Sequence, residues 1–212
     1  GRRGPCGRGP RRAQTRRDRA RPGFGPGHIE IEATFARVVR DMLVFARGNG
    51  PGERVRVADL FRAVHDAAMA VKPPRAHLVI HGGDVLVELD GNRTALTAAL
   101  TNLITNAFES SPDVVVTLSA ALRGDRVEFT VRDNGPGIAP SIRSRVFEPF
   151  FSTRPAGTGL GLAVVKTVAE AHGGNLALHS EVDRGTRIEI DLPQTAAAVE
   201  SPCAAPAARE VA

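Results

Sequence analysis

The thirty residues from Asp133 to Leu162, DNGPGIAPSIRSRVFEPFFSTRPAGTGLGL, constrain the fold of this 212-residue chain more than any other segment. Gly and Pro recur throughout, and both disfavour the interior of helices and strands. A strand-like segment precedes the stretch and a helix-like segment follows it. The stretch is therefore a long irregular connection between a strand and a helix, and it carries a carboxylate, paired Phe residues and closely spaced glycines.

Apolar periodicity on both sides of this connection predicts strands and helices. Helices are expected at residues 58–71, 93–110 and 160–174, and strands near 55–57 and at 77–82, 85–91, 114–124, 126–134, 175–181 and 186–193. Alternating strands with helices on one side predict an α+β fold, a two-layer α/β sandwich in which a mixed sheet packs on helices. We assign this domain to residues 54–193.

A further helix is predicted at residues 28–48. Its apolar residues are spaced 4, 3, 4 and 3 apart, which is a heptad pattern: Ile31, Phe35, Val38, Met42 and Phe45. The glycines and proline of RGNGPGE (47–53) end it. The sequence leaves two interpretations open, a partner helix along the heptad seam or ordinary packing on a core.

The basic charge of the chain lies in its first segment. Residues 1–27 contain nine Arg and one Asp, whereas the whole chain has a net charge of +5, so the remainder is net acidic. This Arg/Gly/Pro-rich segment has almost nothing apolar to bury, so we expect a disordered tail, either simply solvated or an arm for RNA or an acidic partner. Residues 194–212, rich in Ala and Pro, are expected to form a second disordered tail.

Cysteine usage and hydropathy exclude several classes of protein. Cys6 and Cys203 fall in these two tails, so neither a disulfide framework nor a zinc cluster is expected in the core. No run approaches the roughly 20 apolar residues of a membrane helix, and no signal peptide is recognisable. These patterns predict a cytoplasmic protein.

Two amides stand together on the helix predicted at 93–110. Asn102 and Asn106 are four residues apart, which places them on one face of the helix. Asn is a mediocre helix former, so a pair of them in mid-helix requires a reason. An amide oxygen is a suitable ligand for a hydrated Mg²⁺ that also contacts phosphates. On the spacing of the two residues alone, solvent-facing amides are the favoured alternative.

The segment DNGPGI follows a predicted strand directly. A carboxylate at a strand end can accept a hydrogen bond from an exocyclic amino group, and glycines allow a flat base to lie against bare backbone. Such a carboxylate would favour adenine, which donates there, over guanine, which accepts. A Gly/Pro turn with Asp133 as turn former is the alternative.

The second glycine cluster, GTGLGL, begins a predicted helix. Free N–H groups and the helix dipole favour phosphate at such a position, and a glycine-rich capping loop is the alternative. Between the two clusters, FEPFFSTRP contains three of the nine Phe residues, Phe147, Phe150 and Phe151. They predict either a mobile lid, with Arg154 able to reach a terminal phosphate, or plain core packing.

In order and spacing, these segments resemble the boxes of the nucleotide-binding domain of sensor histidine kinases, within the ATPase superfamily that includes gyrase B, the heat-shock 90 chaperones and MutL. NLITNAFESSP is similar to the N box, DNGPGI to the first glycine box, VFEPFFST to the F box and GTGLGLAVVK to the second glycine box. The resemblance spans about residues 28–193. The short lid is most similar to kinases of the nitrogen-regulation and flagellar-regulation type.

This resemblance implies a two-component kinase that transfers the γ-phosphoryl group of ATP to a histidine, with Mg²⁺ as cofactor. Asp133 would bind adenine, Gly135 and Gly137 would let the base lie close, and Thr186 would support an adenine-bound water. Ile138 belongs to the same box and is also expected to contact the nucleotide.

For the phosphate end, the resemblance implies that Asn106 ligates Mg²⁺ and acts in catalysis, with Asn102 beside it. Arg154 is a second catalytic candidate. Further nucleotide contacts are expected from the lid and the second glycine box, namely Phe150, Phe151, Gly157, Thr158, Gly159, Leu160, Gly161 and Leu162.

The phosphoacceptor motif of these kinases is not recognised in the sequence. The helix at 29–47 resembles the second helix of their dimerisation domain, which implies a homodimer, but the expected histidine is not found before it. His28 and His65 do not fit the motif, and Thr97 and Ala98 stand where such kinases often carry Gln or Glu. We expect the acceptor histidine on another chain or a missing segment, with a response regulator receiver domain as the next partner.

Two other functions remain as hypotheses. A non-catalytic module could keep the fold to bind ATP or a partner kinase through the helix at 28–48. Nucleic-acid binding through the Arg-rich tail would collapse as salt rises, and we rank it last.

Overall fold

The computed structural model describes Gly1 and residues 53–82, 87–155 and 157–195 of the chain. The strands are β1 (Glu53–Arg56), β2 (His77–His81), β3 (Glu88–Gly91), β4 (Val115–Arg123), β5 (Arg126–Asp133), β6 (Asn175–Glu181) and β7 (Gly185–Pro193). The α-helices are α1 (Val57–Met69), α2 (Arg93–Phe108) and α3 (Gly161–Ala171), with a 3₁₀ turn at Pro140–Ile142. The helix predicted at 28–48, the tail at 1–27 apart from Gly1, and nearly all of the tail at 194–212 lie outside the described residues.

Five strands form one mixed sheet in the order β2-β4-β5-β7-β6. Only the β2–β4 pair is parallel, and the other three pairs are antiparallel. β1 and β3 form a separate two-stranded antiparallel ribbon. The central strand β5 ends at Asp133, which is paired with Val116 of β4, so this carboxylate lies at one end of the middle of the sheet.

Alternation along the strands separates two faces of the sheet. Alternate residues of the central strands are buried against the helices: Val116 and Leu118 of β4, Val127, Phe129 and Val131 of β5, and Ile188, Ile190 and Leu192 of β7. The residues between them are mostly polar, as in RVEFTVRD of β5. Helices α1, α2 and α3 cover the apolar face with their own buried residues. The result is the two-layer α/β sandwich that the sequence predicts.

His172 joins the end of α3 to the start of α2. Its Nδ1–H donates to the Val168 carbonyl at 2.7 Å, and its Nε2 accepts from the Asn92 backbone N–H at 2.9 Å. A neutral ring with the proton on Nδ1 satisfies both bonds. Asn92 also caps α2, because its Oδ1 accepts from the Ala95 N–H. The end of α3 is therefore attached to the start of α2.

No helix in the described ranges is long and apolar enough to span a membrane. The observed elements begin and end within three residues of the predicted ones, and the 3₁₀ turn inside the glycine-rich connection was not predicted.

Candidate functional site

A cavity of about 370 Å³ opens between α2, the start of α3, the end of β5 and the connection that follows β5. That volume suits a ligand of the size of a nucleotide or other small molecule. Predicted site residues form much of its wall: Asn102, Asn106, Asp133, Gly137, Ile138, Phe151, Arg154, Gly157, Thr158, Gly159, Gly161, Leu162 and Thr186. Segments that are far apart in sequence therefore meet at one cavity.

Three predicted residues do not line this cavity. Leu160 is only 5% exposed and packs inward, and Gly135 is buried behind the wall. Phe150 is 73% exposed and has a positive φ of 66°. Its backbone N–H donates to the Gly159 carbonyl at 2.9 Å, so Phe150 acts on the loop through its backbone rather than by placing its ring in the cavity.

Asp133 is anchored by one of its two carboxylate oxygens. Oδ1 accepts from the Gly135 N–H at 2.8 Å and from the Thr186 N–H at 3.2 Å. In the described part of the chain, Oδ2 has no protein donor, and Asp133 lines the cavity. The carboxylate therefore has a fixed orientation and one oxygen available as an acceptor.

The buried Ser180 hydroxyl supports the part of the site that holds Asp133. Ser180 Oγ accepts from the Ile138 N–H at 2.8 Å, contacts the Thr186 hydroxyl at 2.9 Å and donates to the Gly185 carbonyl at 3.0 Å. These bonds attach the first glycine cluster to the β6–β7 hairpin. Thr186, predicted from the family resemblance alone, is thereby held beside Asp133.

Burial raises the pKa of the Asp133 carboxyl above its usual value of 3.8, and the Gly135 and Thr186 backbone bonds oppose this by a smaller amount. The folded state therefore binds the proton more tightly than the unfolded state does. The contribution of the Asp133 carboxyl to the free energy of unfolding therefore falls as pH rises from about 3.8 through the raised pKa.

We expect Asp133→Asn to become progressively more stable relative to the parent across this pH window, as measured by denaturant unfolding at several pH values. A pH-independent difference would contradict the shift.

The glycines of the first cluster are required by protein packing. A Cβ on Gly137, whose φ is +70°, would lie 2.0 Å from the Glu181 carbonyl oxygen. A Cβ on Gly135 would lie 2.3 Å from Ser110 Oγ. The sequence interpretation assigned these glycines to close approach of a base, whereas the close approach seen here is between the chain's own segments.

Gly137→Ala should destabilise the fold by about 3 kcal/mol, since it adds left-handed backbone strain to a clash with backbone. Gly124→Ala is the matched control, because Gly124 has a similar φ of +66° and no atom within 4 Å of its Cβ position. That control should cost only about 1–2 kcal/mol. Equal losses in urea unfolding would show that the contact with Glu181 is unimportant.

The two predicted amides lie where α2 meets the start of α3. The Asn102 side-chain amide donates to the Gly161 carbonyl at 3.4 Å. A Cβ on Gly161 would lie 3.5 Å from the Asn106 side-chain nitrogen. Both side chains are half-buried and line the cavity, so the alternative of freely solvated amides does not apply.

Arg154 attaches the glycine-rich connection to α2. Its guanidinium forms an ion pair with Glu109 and donates to the Asn106 backbone carbonyl at 3.2 Å. Nearby, the Arg145 guanidinium lies 4.4 Å from the centre of the Phe151 ring. The expected phosphate-reaching arginine is thus at the cavity, where a carboxylate neutralises it.

Residues 91–196 match the family described as histidine kinase-, DNA gyrase B-, and HSP90-like ATPase. The chain belongs to this family. The nucleotide-binding domain that the sequence resembles is therefore confirmed, and nucleotide use follows from the family.

Relatives of this ATPase family include the sensor protein kinase FleS of Pseudomonas aeruginosa, which is 42% identical over 165 residues. This match covers 76% of the chain and 40% of FleS, so the chain spans less than half of that relative. The mycobacterial sensor histidine kinase MprB is 30% identical, with a TM-score of 0.58 over 68% of this chain and 97% of that one. Full-length ShkA in complex with AMPPNP is 28% identical, with a TM-score of 0.65 over 81% of this chain and 38% of that one.

Glu109 and Ser110 are polar wall residues that were not predicted as site residues. Ser110 continues the spacing of four that begins at Asn102 and Asn106, so the same stripe would have found it. Glu109 gives no such signal, because its role depends on an arginine 45 residues later in the chain.

Proposed function

We propose that the cavity binds ATP with Mg²⁺ and that the domain transfers the γ-phosphoryl group to a histidine. The observation that carries this proposal is that Asp133, Asn106 and the start of α3 line one cavity. A fixed carboxylate acceptor at one end suits an adenine amino group. Amide oxygen and helix N–H groups at the other end suit a metal-bound polyphosphate.

At the adenine end, Asp133 Oδ2 accepts the hydrogen bond of the exocyclic amine. Oδ1 cannot rotate away, because the Gly135 and Thr186 N–H groups hold it. Ile138 and Ile188 supply apolar wall for the base. Guanine presents a carbonyl at the same place, and a carboxylate oxygen repels it.

At the phosphate end, the Asn106 side chain fits Mg²⁺, since it offers a neutral oxygen ligand at the cavity wall. When bound, Mg²⁺ would neutralise charge on the phosphates. The backbone N–H groups of the second glycine cluster at the start of α3 orient the phosphate chain. Arg154 is close enough to the cavity to exchange Glu109 for a phosphate oxygen.

In the transfer step, an imidazole nitrogen of the acceptor forms a bond to the γ-phosphorus as the bond to the bridging oxygen breaks, and ADP leaves. The acceptor histidine comes from another chain or another segment, and a response regulator receiver domain takes the phosphoryl group next. We propose that residues 28–48, predicted as a helix from their heptad pattern, provide a dimer contact. Because ATP is the substrate, we place this activity in the cytoplasm.

The test has two stages. Calorimetry of the chain in the presence of Mg²⁺ should show binding of ATP and no binding of GTP, which is the control. A separately supplied dimerisation domain with its histidine should then acquire an acid-labile phosphoryl label from ATP. Absence of ATP binding would refute the proposal, and binding without transfer would indicate a non-catalytic ATP-binding module.

A further inference from the structure

We propose that the Ser110 hydroxyl is a second recognition group for the nucleobase, acting beside Asp133 on the ring nitrogen next to the exocyclic amine. This inference rests on the proposed binding of ATP. Its origin is an unsatisfied polar atom: Ser110 Oγ is buried and has no hydrogen-bond partner in the described part of the chain. Buried hydroxyl groups nearly always have a partner, so this one requires an explanation.

Ser110 lies at the same corner of the cavity as Asp133. A Cβ at Gly135 would be 2.3 Å from Ser110 Oγ and 3.0 Å from Asp133 Oδ1, so hydroxyl and carboxylate flank the same glycine. Ser110 lines the cavity, and a change of χ1 would turn its hydroxyl toward the cavity. The adenine edge that Asp133 would bind carries an acceptor, N1, next to the donating amine. A serine hydroxyl can donate to that acceptor, directly or through one water.

The chain contains an internal comparison for this interpretation. Thr101 Oγ1, within α2, is also buried without a partner in the described part of the chain, but Thr101 does not line the cavity. An orphan hydroxyl that only reflects imperfect packing of α2 and the turn after it would behave alike at both positions. A ligand-binding hydroxyl would distinguish Ser110 from Thr101.

Ser110→Ala should lower ATP affinity by about threefold to tenfold, the loss expected for one hydrogen bond. The thermal stability of the nucleotide-free protein should stay equal or rise, because the variant removes an unsatisfied buried group. Thr101→Val should leave ATP affinity unchanged. Calorimetry and thermal melts on the full chain measure both quantities.

A ligand lacking the acceptor makes the test specific. 1-Deaza-ATP has C–H in place of N1 and cannot accept this hydrogen bond. The parent and Ser110→Ala should therefore bind 1-deaza-ATP with equal affinity. Both affinities should be lower than that of the parent for ATP. An unchanged ATP affinity in Ser110→Ala, or an equal penalty for ATP and 1-deaza-ATP, would overturn the inference while ATP binding stands. Failure of the parent to bind ATP would overturn the proposed function, and this inference with it.

Discussion

Asp133→Asn should reduce ATP affinity by about 100-fold or more, because it replaces an acceptor with a donor at the adenine amine. The geometry fixes how the new amide must lie. The Gly135 and Thr186 N–H groups both donate to Oδ1, so the Asn side chain must place its oxygen there. Its NH₂ group then occupies the Oδ2 position and meets another donor.

The same substitution should raise the stability of the nucleotide-free domain at neutral pH, since it removes a carboxylate that burial disfavours. We therefore expect Asp133→Asn to have a lower ATP affinity and a higher stability than the parent. A variant that was merely misfolded could not show both effects. Calorimetry with ATP and GTP measures the first effect, with the ratio between the two nucleotides shifting toward GTP. Denaturant unfolding measures the second.

Asp125→Asn is the control for loss of one negative charge, because Asp125 is exposed in the β4–β5 turn. It should leave both affinity and stability near parental values. In the parent, ATP affinity should also fall as the pH is lowered, because protonated Asp133 no longer presents a free acceptor. Since the pKa of Asp133 is raised, this fall should begin at a higher pH than it would for a carboxylate of ordinary pKa. Parental affinity in Asp133→Asn would refute the assigned adenine contact.

Asn106→Ala should reduce phosphoryl transfer to a supplied histidine domain by about 100-fold or more. A bound metal contributes several kcal/mol to transition-state charge stabilisation, and each 1.36 kcal/mol corresponds to about tenfold in rate. The fold should survive, because the Asn106 side chain is only half-buried and α2 retains its apolar face. The measurement is the rate of acid-labile labelling as a function of Mg²⁺ concentration.

The pattern of the loss matters as much as its size. Removal of a metal ligand should raise the Mg²⁺ concentration that gives half-maximal labelling, whereas a distorted α2 would lower the rate at all concentrations. Asn175→Ala is the matched control, since Asn175 is exposed at the start of β6, and it should change neither quantity. An Asn106→Ala enzyme with parental Mg²⁺ dependence would exclude Asn106 as the ligand.

Much of this architecture could be predicted from local patterns. Strict alternation in RVEFTVRD and apolar periodicity in α1 fix which face of each element is buried, so the sandwich followed from the sequence. The position of Asp133 at a strand end was likewise visible, because the glycine and proline of DNGPGI stop β5.

Contacts between distant segments could not be predicted in this way. The Glu109–Arg154 ion pair joins the end of α2 to the glycine-rich connection, and no periodicity relates the two residues. The sequence predicted Gly137 as a glycine for close approach of a base, and the protein atom that approaches it belongs to the β6–β7 hairpin. Sequence reasoning identified residue types with unusual requirements, whereas the partner that imposes each requirement emerged only from the tertiary structure.

The His172 link between α3 and α2 determines how precisely the phosphate end of the cavity can be set. His172 holds Asn92 at the start of α2, and Asn106 lies fourteen residues further along, about 21 Å at 1.5 Å per residue. A tilt of α2 about this attached end by roughly 3° would therefore displace Asn106 by about 1 Å, and a displacement of that size can change a reaction rate by about 100-fold. The two hydrogen bonds of His172, at the far end of α2 from Asn106, would thus limit the angular movement of a residue that His172 does not contact.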